Sequence, residues 1–354
     1  MADDIAKHRA EIDALDEKIV TLLNERAAHA AAIGRLKNGV AYRPEREAEI
    51  LRRIAGVNRG PLASGALARV FTEIISACRA LEQPLSVAYL GPQGTFSEMA
   101  LGKQFGTSVR AQPFASIDEV FRAVETGSAQ YAVVPVENST DGAIGRTLDL
   151  LLATPLRICA EVVLRVQQNL IAKRASMKAI RKVYSHPQSL AQCHGWLAQN
   201  LPGARRVPLA SNAEAARVAA KEAGAAAIGP EIAAARYGLK LLARSIEDDP
   251  KNRTRFLVLG SHDAGPSGKD RTSLVMTTHN RPGSLLDLIA SFSICGVNMT
   301  RLESRPARTG QWEYYFYVDI EGHQEDPKVA KALAELRDKA PFLKIFGSYP
   351  AAVL

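Results

Sequence analysis

Thr254 stands between two arginines, at the head of a run, Phe256-Leu257-Val258-Leu259-Gly260, that reads as a short covered strand. A hydroxyl can give a proton or a hydrogen bond to a departing oxygen, and guanidinium forks grip carboxylates. The trio therefore suits work on a small anion. The same residue types equally suit a strand end where Thr favours the backbone and Arg faces water. A second group lies near the start. Arg26 interrupts an apolar stripe formed by Ile5, Ile12, Ile19 and Ile33, with Leu15, Leu22 and Leu36 on companion positions. A charge there is costly without a partner. Lys37, eleven residues on, falls about 20° round the helix and roughly 16 Å further along it. Two long cations so placed can hold a dianion, or Arg26 can snorkel out of the seam.

Three kinds of segment position these residues. Residues 1–83 read as helices: a long one capped by Asp3 or Asp4 and ended at Gly39, a second with Pro44 in its first turn, and a third from Gly60-Pro61 to Gln83-Pro84. From Ser86 a strand, a polar loop and a helix recur four times, describing an α/β domain whose helix N-termini can receive anions. The loops are Gly91-Pro92-Gln93-Gly94-Thr95-Phe96-Ser97, Glu137-Asn138-Ser139-Thr140-Asp141-Gly142, Ser185-His186-Pro187-Gln188-Ser189 and Pro230-Glu231. Asp263-Ala264-Gly265-Pro266-Ser267-Gly268-Lys269 is the clearest linker. Beyond it the order is strand (272–277), helix (284–295), strand (297–303), strand (312–320), helix (327–339), strand (343–349), a βαββαβ pattern.

Composition narrows the class. With 354 residues, 47% hydrophobic and 23% charged, the chain suits two or three soluble domains. The net charge of +8 is scattered over residues 84–262, which carry +7, against +1 before and 0 after. Scattered charge without interleaved aromatics argues against a nucleic-acid track. Four widely spaced cysteines suggest free thiols in a reducing compartment, and the acidic start with no long apolar run suggests a cytoplasmic protein without a membrane segment. No paired cysteine spacing suggests zinc or a redox couple.

The string Asn252-Arg253-Thr254-Arg255-Phe256 resembles the Asn-x-Thr-Arg-Phe signature of prephenate dehydratases. Gly91-Pro92-Gln93-Gly94-Thr95-Phe96-Ser97 and Pro135-Val136-Glu137-Asn138-Ser139 resemble two further signatures, in the family's order. Ile12-Asp13-Ala14-Leu15-Asp16-Glu17-Lys18, with Arg9, Arg26 and Lys37, resembles the first helix of all-helical chorismate mutases. Asn280-Arg281-Pro282-Gly283-Ser284-Leu285 and Glu303-Ser304-Arg305-Pro306 resemble the phenylalanine-binding motifs of ACT domains, with Ser284 in place of a common Ala. The chain is thus identified as a member of the bifunctional chorismate mutase/prephenate dehydratases.

The resemblance implies a multidomain fold: an all-α three-helix mutase (1–83), an α/β two-lobed dehydratase like a periplasmic binding protein (86–262), and an α+β ferredoxin-like ACT domain (271–354). It implies that Arg9, Arg26, Arg46, Glu47 and Cys78 contact chorismate, with Lys37 and Glu82 catalytic. The rearrangement needs no nucleophile, only a held conformer and stabilisation of the ether oxygen. Cys78 and Glu82 stand where Ser and Gln are common, and an ionised Glu cannot donate a hydrogen bond, so Glu82 is expected either to be protonated through burial or to contribute little. For prephenate, Thr254 would donate to the departing hydroxyl and Arg255 would hold a carboxylate, with no metal and no organic cofactor needed. Thr95, Ser97, Asn138, Ser139, Asn212 and Phe256 are the expected contacts. His186, beside Pro187, reads as structural, and Glu137 as either mechanistic or a loop cap. Gly283, Ser284, Leu285, Asn298, Glu303, Ser304, Arg305 and Pro306 would receive phenylalanine as effector.

Helix geometry adds one inference. Arg9 and Arg26 are roughly 25 Å apart along one helix, so both can meet one small ligand only if Arg9 comes from a second chain. An interlocked homodimer follows, which agrees with the side-by-side pairing usual for ACT domains. Competing readings are a non-catalytic amino-acid sensor, a mutase fused to a dehydrogenase, and a basic nucleic-acid binder. The dehydrogenase would need a Gly-x-Gly-x-x-Gly turn, which the sequence lacks.

Overall fold

The computed structural model describes residues 2–36, 41–174, 176–307 and 313–352. Lys37 and Gly39 therefore lie outside the described residues, as does Trp312 at the start of an expected strand. Three helices come first: α1 (Ala2–Leu36), α2 (Pro44–Val57, with Pro44 at its first turn) and α3 (Ser64–Glu82). α3 lies against both others, but among the described residues nothing covers the apolar stripe of α1: Ile12, Ile19 and Leu22 are 55%, 51% and 62% exposed. Among the described residues no helix is long and apolar enough to cross a membrane.

The middle of the chain forms two sheets. Its strands and helices run β1 (Ser86–Leu90), α4 (Phe96–Phe105), β2 (Arg110–Phe114), α5 (Ile117–Glu125), β3 (Tyr131–Asn138), β4 (Gly142–Ala143), α6 (Gly145–Ala153) and β5 (Arg157–Arg165). They continue β6 (Asn169–Ala172), β7 (Lys182–Ser185), α7 (Pro187–Gln192), α8 (His194–Asn200), β8 (Arg205–Pro208), α9 (Asn212–Ala219), β9 (Ala225–Gly229), α10 (Glu231–Tyr237), β10 (Lys240–Ala243) and β11 (Arg253–Gly260). One sheet has the order β2-β1-β3-β11-β5, with β4 on β3, and the other has β10-β6-β9-β7-β8. The chain leaves the first sheet after β5 and returns to it at β11, so two crossings join two lobes. The expected strand-loop-helix units are present. β2, β5, β6, β8 and β10 come in addition, short or antiparallel strands that the repeat did not signal.

The last segment is β12 (Asp270–Met276), α11 (Ser284–Ile294), β13 (Met299–Pro306), β14 (Tyr314–Glu321), α12 (Pro327–Lys339) and β15 (Leu343–Pro350), in sheet order β13-β14-β12-β15. This is the expected βαββαβ order. Its sheet is fused to the dehydratase-like segment by a shared core in which Val275, Tyr317, Phe346 and Tyr349 join Val136, Leu148, Leu151, Ile158 and Leu257. Gly347 is required there: a Cβ would strike the backbone of Ile158. The linker over 263–269 is not loose. Arg52 of α2 donates to the Ser267 carbonyl (2.6 Å) and hydroxyl (2.7 Å), and the buried His323 bonds the Ala264 carbonyl at 3.1 Å.

Candidate active sites

Neighbouring residues of a strand point to opposite faces of the sheet, and β11 uses this directly. Thr254 faces Asn138 across the β3–β11 register, and Asn138 Nδ2 donates to Thr254 Oγ1 at 2.9 Å. The Thr hydroxyl thus accepts from the amide, which leaves its own proton to give elsewhere. Asn138 also donates to Asn252 Oδ1 (3.0 Å), and its own carbonyl accepts the Thr140 and Asp141 amides, fixing the turn after β3. Ser139 is tied in by its hydroxyl, which accepts from the Arg253 amide at 2.9 Å. Asn252 is buried, and its Nδ2 has no hydrogen-bond partner among the described residues.

The second lobe answers across the seam. Asp141 accepts hydrogen bonds from Gln188 and, at 3.1 Å, from Gln192, both on α7. Behind them Gln168, on the first crossing, donates to Ser189 (2.9 Å), which also receives Asn212 Nδ2 at 2.9 Å. Asn212 Oδ1 accepts Ser185 Oγ at 2.9 Å and the His186 amide at 3.1 Å. At the other side of the seam Arg236 of α10 reaches Glu98 at 2.6 Å, and Tyr237 bonds the Gln93 carbonyl at 3.1 Å. The structure therefore brings the loops carrying Thr95, Ser97, Asn138, Ser139 and Asn212 to one seam with Thr254. Thr95 spends its hydroxyl on capping α4, through Leu90 O (3.2 Å) and the Glu98 amide (3.4 Å). His186 is a helix cap as well, its Nδ1 accepting the Gln188 amide at 3.3 Å; burial pushes its pKa down against the pull of Asp141.

Two expectations about β11 do not agree with this geometry. Arg255, expected to hold a substrate carboxylate, points to the opposite face. It donates to Glu161 (2.7 Å), Asp319 (2.5 Å) and the Tyr349 hydroxyl (2.8 Å), the last two on the C-terminal sheet. Burial works against its charge, but Tyr349, Asp319 and Glu161 outweigh it and raise its pKa further. Phe256, expected at the substrate, is 2% exposed and packs in a core with Val87, Val133 and Val162. Glu137 is an interface residue, 3.3 Å from Arg301 of β13 and 3.8 Å from Arg255.

In the helical segment, Arg26 reaches Cys78 Sγ at 3.0 Å, so α1 and α3 do bring two expected residues together. Glu82 is half-buried against Gly34, where a Cβ would collide with it. Glu47 is taken up by the buried Arg79, which also donates to Phe105 O at 2.7 Å and lies over the rings of Tyr42 and Phe105. Burial raises the Glu47 pKa against the opposing effect of Arg79. Arg46 is exposed and pairs with Glu49 at 3.0 Å, and Arg9 is exposed on α1. Arg79 and Tyr42 carry this interface and had no motif to announce them.

In the C-terminal segment Gly283, Ser284 and Leu285 line a cavity of about 430 Å³ with Asn280, Arg281 and Phe316. Asn298 is exposed, and Glu303, Ser304, Arg305 and Pro306 stand on the edge strand β13 outside that lining. Arg305 turns instead to Asp149 of α6, at 3.2 Å, and packs on Gly145.

Comparison with known proteins finds three family models along the chain. Family models match residues 8–83 (chorismate mutase type II), 87–264 (prephenate dehydratase) and 272–338 (ACT domain). The bifunctional chorismate mutase/prephenate dehydratase of Neisseria gonorrhoeae is 51% identical over 98% of this chain and 97% of its own length. That of Stutzerimonas stutzeri is 47% identical over 100% and 99%. A prephenate dehydratase from Arthrobacter aurescens, solved in complex with L-Phe, superimposes with a TM-score of 0.70 at 34% identity, covering 75% of this chain and 89% of that one. With both active segments and the regulatory one present in the same order and over nearly full length, this chain belongs to the bifunctional chorismate mutase/prephenate dehydratases.

Proposed function

We propose that the helical segment converts chorismate to prephenate, that prephenate becomes phenylpyruvate at the seam around Thr254, and that phenylalanine restrains the second step from the C-terminal sheet. The observation that carries the dehydratase assignment is the 2.9 Å bond from Asn138 to Thr254. It takes up one lone pair of the hydroxyl and leaves its hydrogen free for the departing ring oxygen. Loss of the carboxylate supplies the electron pair that forms the new ring double bond as the carbon–oxygen bond breaks, and aromatisation drives the step. Thr254 then only needs to stabilise the leaving hydroxyl as charge gathers on it. With Arg255 engaged elsewhere, Asn138, Asn252, Ser139 and Asn212 are the groups placed to position prephenate.

The mutase reading rests on Arg26 beside Cys78, with Arg9 completing the grip and Lys37 donating to the ether oxygen. Its uncovered α1 stripe supports a homodimer, as do the edge strand β13 and the exposed Leu286 and Ile294 of α11. Cavity-lining Gly283, Ser284 and Leu285 support phenylalanine binding, and the phenylalanine complex of the Arthrobacter aurescens enzyme supports it independently. Four unbridged cysteines suit a cytoplasmic enzyme.

The test gives purified protein chorismate alone and follows prephenate and phenylpyruvate, with and without phenylalanine. The wild type should form phenylpyruvate and slow when phenylalanine is added. Thr254→Val, which keeps the shape and loses the hydroxyl, should lower phenylpyruvate formation by about 10²-fold or more and let prephenate accumulate. An unchanged phenylpyruvate rate in that variant would remove Thr254 from the chemistry.

A further inference from the structure

The Asn138–Thr254 pair has a neighbour in the same ladder. One step along β3 and β11, Glu137 faces Arg255, and their side chains leave the opposite side of the sheet. On the C-terminal sheet, Arg301 of β13 faces Asp319 of β14 in the same cross-strand sense. The two pairs meet. Arg301 lies 3.3 Å from Glu137, Arg255 lies 2.5 Å from Asp319, and Arg255 is 3.8 Å from Glu137. Four alternating charges thus join two ladders, one of which carries Thr254 and Asn138 on its other face.

We infer that Arg301 and Asp319 are positioning residues of the dehydratase reaction, and that an effector bound to the C-terminal sheet acts on Thr254 through this four-charge junction.

Three features support the route. First, β13 is two-faced: Arg301, Glu303 and Arg305 alternate with the exposed Leu302, Ser304 and Pro306, and Arg301 and Arg305 both grip the dehydratase segment. A shift of this edge strand therefore pulls directly on β3 and α6. Second, the connection is stiff, because Asp319 is also held by Ser273 at 2.5 Å and Arg255 by Glu161 and Tyr349. Charge-assisted bonds in a buried setting resist stretching. Third, the junction has one loose member. Arg301 Nη2 has no hydrogen-bond partner among the described residues, and Arg255, Ser273, Arg301 and Asp319 border a small void of about 10 Å³ whose remaining lining is mostly apolar, Leu148 and Phe346 among it. A guanidinium with an idle donor can take a second arrangement on the same carboxylates, which gives the coupling two states to choose between.

The inference rests on the phenylalanine reading above, so the test separates them. Dehydratase inhibition and phenylalanine binding are measured side by side, the latter by calorimetry, in wild type, Arg301→Gln and Arg301→Lys. Mutase activity in each preparation reports folding. Arg301→Gln should raise the phenylalanine concentration for half-inhibition at least about tenfold, within the usual range of coupling between sites, while the dissociation constant moves much less. Arg301→Lys keeps the charge without the fork and should fall between. Half-inhibition that stays at the wild-type value, or that moves only in step with binding, overturns the junction as the route. A wild type indifferent to phenylalanine would end the effector reading itself, whereas an inhibited wild type with equally inhibited variants ends this inference alone.

Discussion

Thr254 and Arg255 are adjacent in the chain, yet one touches the seam and the other the C-terminal sheet. Side-chain type suggested that both serve one anion. Alternation along β11 divides them, and that signal was present in the apolar run that follows. Asp319 makes the division measurable. Burial disfavours its charge, but Arg255, the Ser273 hydroxyl and Arg301 outweigh burial and hold its pKa below the usual carboxylate range. Glu137, Glu161, Arg271 and Tyr349 complete the charged and titratable surroundings. A depressed folded pKa means stability that is present above the unfolded value and lost as pH falls through the folded one. Asp319→Asn should therefore cost about 3 kcal/mol at pH 7, and the gap in urea midpoint from wild type should close as pH falls below about 4. A gap that stays constant down to pH 2 would show that the Asp319 charge contributes nothing to docking.

At the level of elements, periodicity and turn residues located the three segments, because helical stripes and strand-loop-helix units leave local marks. The order of the last six elements was legible for that reason. Contacts between segments were not. The linker over 263–269 has the Pro, Gly and Ser of a free connection, yet Arg52 and His323 fasten it. Glu47 pairs with Arg79, thirty-two residues away, and nothing near Glu47 in sequence names that partner. Gly347 belongs to the same class: its role appears only where β15 lies on Ile158. Gly347→Ala should push the two sheets apart at a cost of about 1–3 kcal/mol, seen as a melting midpoint lowered by about 2–4 °C for each kcal/mol. Gly203, with no atom in the way of a Cβ, supplies the control, and Gly203→Ala should melt like wild type. Equal midpoints for the two variants would mean that β15 can back away from Ile158 at no cost.

At the level of the whole molecule, the question is how α1 is covered. Under the proposed homodimer, a 35-residue helix with Ile12, Ile19 and Leu22 more than half exposed gains a partner surface, and Arg9, too far along it to share a ligand with Arg26 of the same chain, serves the other site. Two copies exchanging their first helices satisfy both requirements, and each site then takes Arg26 from one chain and Arg9 from the other. This arrangement has an arithmetic consequence. Arg9→Ala and Arg26→Ala homodimers each lack a residue in both sites. In a mixed dimer, one site loses both arginines and the other keeps both. Equal amounts of the two variants, unfolded and refolded together, should form about half mixed dimers and recover about one quarter of wild-type mutase activity. The same variants refolded separately and then combined should stay inactive until subunits exchange. If both arginines act within one chain, co-refolding restores nothing, because every site in every dimer is then defective. Recovery near one quarter thus assigns the covered face of α1 and the origin of Arg9 in a single assay, independently of whether the dehydratase segment is active.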